Sequence, residues 1–567
     1  MLTISNPDEV DWANIPKEKL LIGNALDSFI TYNLVDQIKI PANSNQVAIL
    51  LSKCLPVFSE LEYNGLDIDC EKLKTILDKL KQEIIEIEDS LKTSLLVEKY
   101  KDETETDIFN IKSSKQLNAF FKYSESILAT TFLTFASIDK SLKTGLYSFN
   151  EANLKKLEAW LNEAVNIAHD SSHGGAIPLL SQEGESLIEV VNSILKLREL
   201  YKLRDSYFQT SLDVIENIGV PKLFCQYNLT GTVTGRLSCE AMSFNKNKVG
   251  VSMHTLPRNE QFNMRDVVVP SKKEREAGDL FVTIDYSSME LRVMAQACQD
   301  IELCAAYQNE DSDLHTITAS KIFGKDASDI TAEERQTGKM TNFLTIYGGG
   351  PKRLAESLGK PLLECKRIIR DYHKAFPGID EYRNRVVSYL RRNNHSVSLF
   401  GRYRHLIVPY KDIYDKFDKF RVERQAVNSI IQSTASDILL VALLNFDMFI
   451  KEKNLKGRIV ATVHDSIEFV MSSIDFFKYF QEILNLFHHP NYEKVGMANL
   501  YEYGPGGMLI TRSIEEGWTI PLEIDVEVGR SFGSNIPVKF KRNKDTSNYD
   551  ILNPGAIVNY VKELSVA

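Results

Sequence analysis

Cysteine is scarce and scattered in this chain of 567 residues. Cys54, Cys70, Cys225, Cys239, Cys298, Cys304 and Cys365 form no CxxC pair, so neither a disulfide framework nor a thiolate zinc site is expected. No run approaches the roughly 18 uninterrupted apolar residues that a membrane span needs. The opening MLTISNPDEVDWANIPKEK has no apolar signal core and no Arg-rich amphipathic pattern. It predicts a cytoplasmic protein, the cytoplasm of an infected cell included, with no membrane partner. Repeats and low-complexity tracts are absent. Positive charge is also in deficit, the net being −10, which taken alone counts against a nucleic-acid partner. Placement matters more than the total. Between Arg383 and Arg424 there are eleven Lys/Arg against four acids, which reads either as a phosphate-tracking surface or as a solvated helical face.

The length suggests three or four lobes, and 43% hydrophobic with 25% charged residues is ordinary for a soluble enzyme. After a 45-residue appendage, the apolar spacing predicts an amphipathic helix over 71–100 and a second over 187–215. The second carries Lys196, Arg198, Lys202 and Arg204, which either reach a nucleic-acid backbone or face solvent. Strand-like runs end in acids at Leu280–Asp285 and within Arg458–Val470, the latter read as a hairpin with His464 and Asp465 in its turn. Residues 289–445 read as mainly helical. Helices, strand, helices, strand suits a mixed sheet with a large helical insertion.

Three segments carry chemistry. Asp285 ends a strand and opens a helix, where an acid serves either as a cap or as a ligand. Asp465, between two apolar strand halves, is either an exposed turn residue or a metal ligand. On the helix between them Arg335, Lys339, Phe343 and Tyr347 recur every fourth residue, so one face presents two cations and then two aromatics. Those match the phosphates and the flat base of a nucleoside triphosphate; a partly buried helix with snorkelling cations is the plainer alternative.

Asp285-Tyr-Ser-x-x-Glu290-Leu-Arg, Arg335-x3-Lys339-x3-Phe343-x3-Tyr347-Gly and Val463-His464-Asp465 resemble, in order, the first palm motif, the fingers helix and the second palm motif of family A DNA polymerases. Thr230-Gly-Thr-Val-Thr-Gly-Arg236, Asp313-Leu-His315 and Arg424-x3-Asn428-x3-Gln432 add to a resemblance that spans about 50–535. The resemblance implies an α+β, multidomain right-hand polymerase fold with a palm sheet, helical fingers and a helical thumb. Its divisions would be an appendage (1–45), palm base and thumb (46–230), first palm part (231–300), fingers (301–424), second palm part (425–535) and a tail of unassigned role (536–567). It implies primer extension with deoxynucleoside triphosphates on primer–template DNA, of the bacterial repair or phage replicative type. Asp285 and Asp465 would hold two Mg²⁺, with Mn²⁺ able to substitute. Arg335, Lys339 and His315 would meet the triphosphate, with Lys339 protonating pyrophosphate. Phe343, Tyr347 and the steric gate Glu290 would shape the nucleotide site. Arg236, Arg424, Asn428, Gln432 and His464 would touch the primer–template, the minor groove offering acceptors in nearly constant places.

The chain departs from that pattern at Ser466, where the family often has Glu, and at Met340, Leu344 and Phe343. Residues 15–34, with Asp27, resemble the final helix of a proofreading exonuclease domain whose remainder does not fit in 45 residues. A separate exonuclease or replisome protein docking there is the corresponding expectation. A single-subunit RNA polymerase fits less well, since Glu290 and Phe343 have no counterpart there, and a catalytically silent replisome scaffold would not need the acids. The last stretch, with Lys539, Lys541, Arg542 and Lys544, reads either as a tail folded on the palm or as a partner site.

Overall fold

The computed structural model describes residues 44–105, 109–128, 131–141, 144–169, 182–244, 247–309, 312–406, 416–543 and 548–557. The segment around Asp27, and the expectations placed on it, lie outside them. Helix α1 (Asn45–Asn64) leads into α2 (Cys70–Lys92), whose start is fixed by the Asp69 carboxylate accepting from Lys72 N–H. Leu73, Leu77, Leu80 and Ile84 form its buried stripe. The helix expected over 71–100 is two: Thr93 and Ser94 interrupt it before α3 (Leu95–Thr104). Helix α4 (Gln182–Lys202) runs through a π-helical stretch, Leu203–Gln209, into Thr210–Ile218. Three of its four cations are engaged within the protein, and Lys202 is exposed. Arg198 donates to the carbonyls of Ile111 and Phe149, Arg204 pairs with Asp205 at 2.7 Å, and Lys196 faces Glu83 at 3.9 Å.

Five strands form the central sheet: β1 (Leu280–Tyr286), β2 (Gly457–Val463), β3 (Ser466–Met471), β4 (Ile524–Gly529) and β5 (Asn535–Pro537), in the order β2-β3-β1-β4-β5. Every pairing is antiparallel, so the expected mixed sheet is corrected. After the helical insertion the chain returns as a hairpin, and its second arm, β3, docks on β1 in the opposite sense. The last strand passes residue 535, so the sheet reaches into the stretch set aside as a tail.

Between β1 and β2 lie α5 (Met289–Cys298), α6 (Leu314–Phe323), α7 (Ala332–Ile346) and the long α8 (Lys416–Glu452). Over Lys419–Glu452 the last is long and apolar enough to cross a membrane, but 89% of its apolar window is buried in the fold. Strand alternation gives the sheet two packed faces. Leu280, Val282, Ile284, Phe469 and Val526 join the core containing α5 and α8, whereas Phe281, Val463, Val470 and Phe532 join the core of the N-terminal helices. The second face is covered near Phe281 and open near Asp285.

The C-terminal stretch folds back on this body. β6 (Phe540–Arg542) and β7 (Tyr549–Ile551) make a hairpin. The Tyr549 ring stacks on His488 at 4.9 Å, and its backbone N–H and carbonyl meet the Gln481 amide.

Candidate active site

The hairpin β2–β3 turns through His464 and Asp465, with His464 in the left-handed region at φ 57°, a conformation a non-glycine residue holds only when its surroundings demand it. Ser466 lies opposite Asp285 in the β3–β1 register, and Tyr286 N–H donates to the Asp465 carbonyl at 3.2 Å. Two carboxylates from strands 180 residues apart are thereby fixed at one end of the sheet. Both line a cavity of about 1110 Å³, together with Ser287, Arg258, Arg265, Asp525 and Glu527.

The Asp285 side chain opens into this cleft, yet its depth strips away hydration. Desolvation first, then the charges of Asp465 and Asp525, push its carboxyl up to about 7. Asp465 is raised too, by desolvation, against the pull of Arg236 and His464. Mutual repulsion of this kind is what a bound cation relieves. Among the described residues no cluster of three or more His, Cys, Asp or Glu side chains gathers as a ready-made metal site. The donor set therefore suits ions completed by ligand phosphates.

On α7, Thr331 and Glu334 form a capping box. Arg335 and Lys339 are exposed, and Phe343 and Tyr347 half-buried. Arg335 is not free: its Nε and Nη2 bind the Asp313 carboxylate at 2.7 and 3.2 Å, holding that acid at about 2 against its desolvation. His315 is buried, 3.1 Å from the Asn342 amide through Nδ1, with its ring 6.0 Å from that of Phe343. The Tyr347 hydroxyl donates to Glu290, which is 5% exposed and also pairs with Arg236. Arg236 follows Gly235, whose φ of 78° and contact with Arg402 and Ser433 leave no room for a Cβ. Arg424 packs on Gly348, while Asn428 and Gln432 continue its face of α8 at steps of four.

Residues 71–534 match the model of DNA polymerase family A. The chain belongs to this family. It is 25% identical to DNA polymerase I of Borreliella burgdorferi over 527 residues, 92% of this chain and 48% of that protein. It is 27% identical to the Geobacillus stearothermophilus DNA polymerase I over 440 residues, 76% of this chain and 42% of that one. The chain thus spans about half the length of the curated relatives it matches. Among solved structures, the POL domain of Pol1 from M. smegmatis, in complex with DNA primer-template and dNTP, superposes with a TM-score of 0.61 at 22% identity, covering 85% of this chain and 70% of that domain. That likeness is one of fold.

In family terms the five-stranded sheet is the palm. Several of the eleven Lys/Arg between 383 and 424 are engaged within the protein. Arg383 donates to the Thr345 carbonyl, Arg391 pairs with Glu423, Arg392 donates to the Gly507 carbonyl, Arg402 pairs with Asp437 and Arg404 donates to the Gln425 carbonyl. Those five cations face protein partners, whereas Arg424 shares a face of α8 with Asn428 and Gln432. Sequence reasoning also passed over Asp525, paired in register with Asp285, and Glu527. The alternation in Ile524-Asp-Val-Glu-Val carried their signal. Arg258 and Arg265 come from an irregular segment with no periodic mark.

Proposed function

We propose that this chain extends a DNA primer on a template, joining deoxynucleoside monophosphates from their triphosphates and releasing pyrophosphate. The observation that supports the reading is the pairing of β1 with β3 together with the β2–β3 turn, which bring Asp285 and Asp465 to the same open end of the palm sheet. The two acids would hold a pair of divalent cations, Mg²⁺ or Mn²⁺, which when bound stabilise charge on the attacking and leaving oxygens of an in-line displacement.

The remaining roles belong to the protein's own groups. The primer 3′-hydroxyl gives up its proton to solvent water as its oxygen bonds to the α-phosphorus and the bond to the β-phosphate oxygen breaks, and Lys339 is the group assigned to give the departing pyrophosphate a proton, which it regains from solvent. Arg335 reaches the phosphates by exchanging its bidentate hold on Asp313 for one on the ligand, two acceptors of similar geometry. His315, pushed below its ordinary value by burial, acts as a neutral hydrogen-bonding group. Phe343 and Tyr347 stack on the base and sugar. Glu290, fastened by Tyr347 and Arg236, fills the place beside the 2′-position and selects deoxyribose. Arg236, Arg424, Asn428, Gln432 and His464 support the primer–template.

Extension of a labelled primer with Mg²⁺ and deoxynucleotides tests the reading, with Asp465→Ala expected to abolish it. Full activity in that variant, or extension with ribonucleotides at equal efficiency, overturns it.

A further inference from the structure

The palm sheet carries more acid on its cleft face than the two carboxylates used so far. Directly opposed residues of antiparallel strands project to the same side, and the register makes two rows: Ser466, Asp285 and Asp525, then Glu468, Thr283 and Glu527. Asp525 and Glu527 are exposed. Glu468 has no exposed surface. One of its oxygens meets the Ser466 hydroxyl, and Oε2 has no partner. Buried polar groups are rarely left so, and each case calls for a reason. The charged groups around it are Asp285 from β1 and Arg258 and Arg265 from the segment before it, with the Tyr227 hydroxyl nearby. Arg265, also buried, has an equally unpartnered Nη1. An acid and a cation are thus held dry behind the catalytic row, each with an atom to spare.

Ser466 links Glu468 to the catalytic turn. Its hydroxyl lies 2.9 Å from the Val463 carbonyl as well as against Glu468, so it braces both ends of the two-residue turn that carries His464 and Asp465. Ser466 itself occupies the position where a third acid was expected, and Glu468 lies two residues along the same strand. A step of two keeps a side chain on the same face. The acid is displaced by one rung rather than lost.

We propose that Glu468 is a third carboxyl of the catalytic centre, a positioning residue that acts through Ser466 on the Val463–Ser466 turn and sets how tightly Asp285 and Asp465 hold divalent cations. This rests on the reading of those two aspartates as cation ligands. Groups that brace ligands in this way typically alter metal affinity about 10- to 100-fold when removed.

The test uses the full chain and Mn²⁺ alone, with binding followed by electron paramagnetic resonance without nucleotide or DNA. Glu468→Gln, which keeps volume and one hydrogen bond, and Ser466→Ala are each expected to weaken Mn²⁺ binding about tenfold. Glu468→Asp should recover part of the loss. In primer extension the half-saturating Mg²⁺ concentration should rise in step, while the KM for nucleotide stays near that of the wild type. Mn²⁺ affinity within about twofold of the wild type in both variants overturns the proposal, whether or not their melting temperatures fall, because a merely structural role predicts that outcome. Should Glu468→Gln fail to fold, Ser466→Ala carries the decision. Asp465→Ala separates the levels: if it binds Mn²⁺ normally, the ligand reading fails. If the wild type extends no primer while Mn²⁺ affinity still depends on Glu468, the polymerase reading fails and the positioning role stands.

Discussion

Replacing Asp437 with Leu should destabilise the chain strongly and disturb the nucleotide gate from a distance. Asp437 lies inside α8 with no exposed surface, and its only ionic partner among the described residues is Arg402, whose Nη2 and Nε stand 2.5 and 3.4 Å from the carboxylate. Removing the acid leaves a guanidinium that is 16% exposed without its counter-charge, a change that costs about 3–5 kcal/mol where such pairs have been broken. Replacing both partners with apolar residues of similar size removes the stranded charge, so Arg402→Met with Asp437→Leu should recover most of that loss. Arg402 also packs against Gly235, next to Arg236, which pairs with Glu290, which in turn accepts from Tyr347. Discrimination against ribonucleotides should therefore fall in the single variant and only partly return in the double. Urea unfolding followed by circular dichroism, with primer extension on both nucleotide types, reads both effects. A single variant destabilised by less than about 1 kcal/mol, or a double variant as unstable as the single, would refute the argument that the pair is a buried electrostatic unit.

Glu290→Ala should admit ribonucleotides by vacating the space held against Tyr347, with discrimination falling by roughly one to two orders of magnitude, equivalent to about 1.4–3 kcal/mol; competing extension with the two sugars checks it. Asp313→Asn keeps an N-cap for α6 but loosens the hold on Arg335, so the KM for nucleotide should drop several-fold, read from steady-state extension. Gly235→Ala, at φ 78° with no space for a Cβ, should cost about 1–3 kcal/mol of stability and weaken primer–template binding in a gel-shift titration. Glu468 is pushed up to about 8 in the folded chain, chiefly by desolvation. The fold therefore holds a proton that the unfolded chain sheds near its ordinary value of 4.5. The stabilisation is full below that value and lost as pH rises toward about 8, with a ceiling on the order of 4–5 kcal/mol at about 1.4 kcal/mol per pH unit. Cation-free urea midpoints should fall between pH 5 and pH 8.5, and Glu468→Gln should flatten the fall.

Local chemistry alone was enough for several features. The spacing of Leu73, Leu77, Leu80 and Ile84 marked a helix, and the two apolar runs ending at Asp285 and flanking His464–Asp465 marked the strands that meet. The four-residue step from Arg335 to Tyr347 placed cations and aromatics on one face. These depend on periods of 3.6 and 2, which are properties of neighbours in the chain. The sense of the sheet did not follow, because pairing β3 rather than β2 with β1 is a choice between distant segments. Nor did the fate of the cations in 383–424. A run of Arg reads the same whether its partners are phosphates or carbonyls, and only packing brought Thr345, Gly507, Gln425 and Asp437 within reach. The same holds for Glu468. Its residue type and strand position were legible, but its burial, its open oxygen and its hold on Ser466 exist only because a second sheet row and the Arg265 segment close over it. Sequence determined which side chains each element presents. Tertiary structure decided which of them meet, because desolvation and charge pairing act between residues hundreds of positions apart.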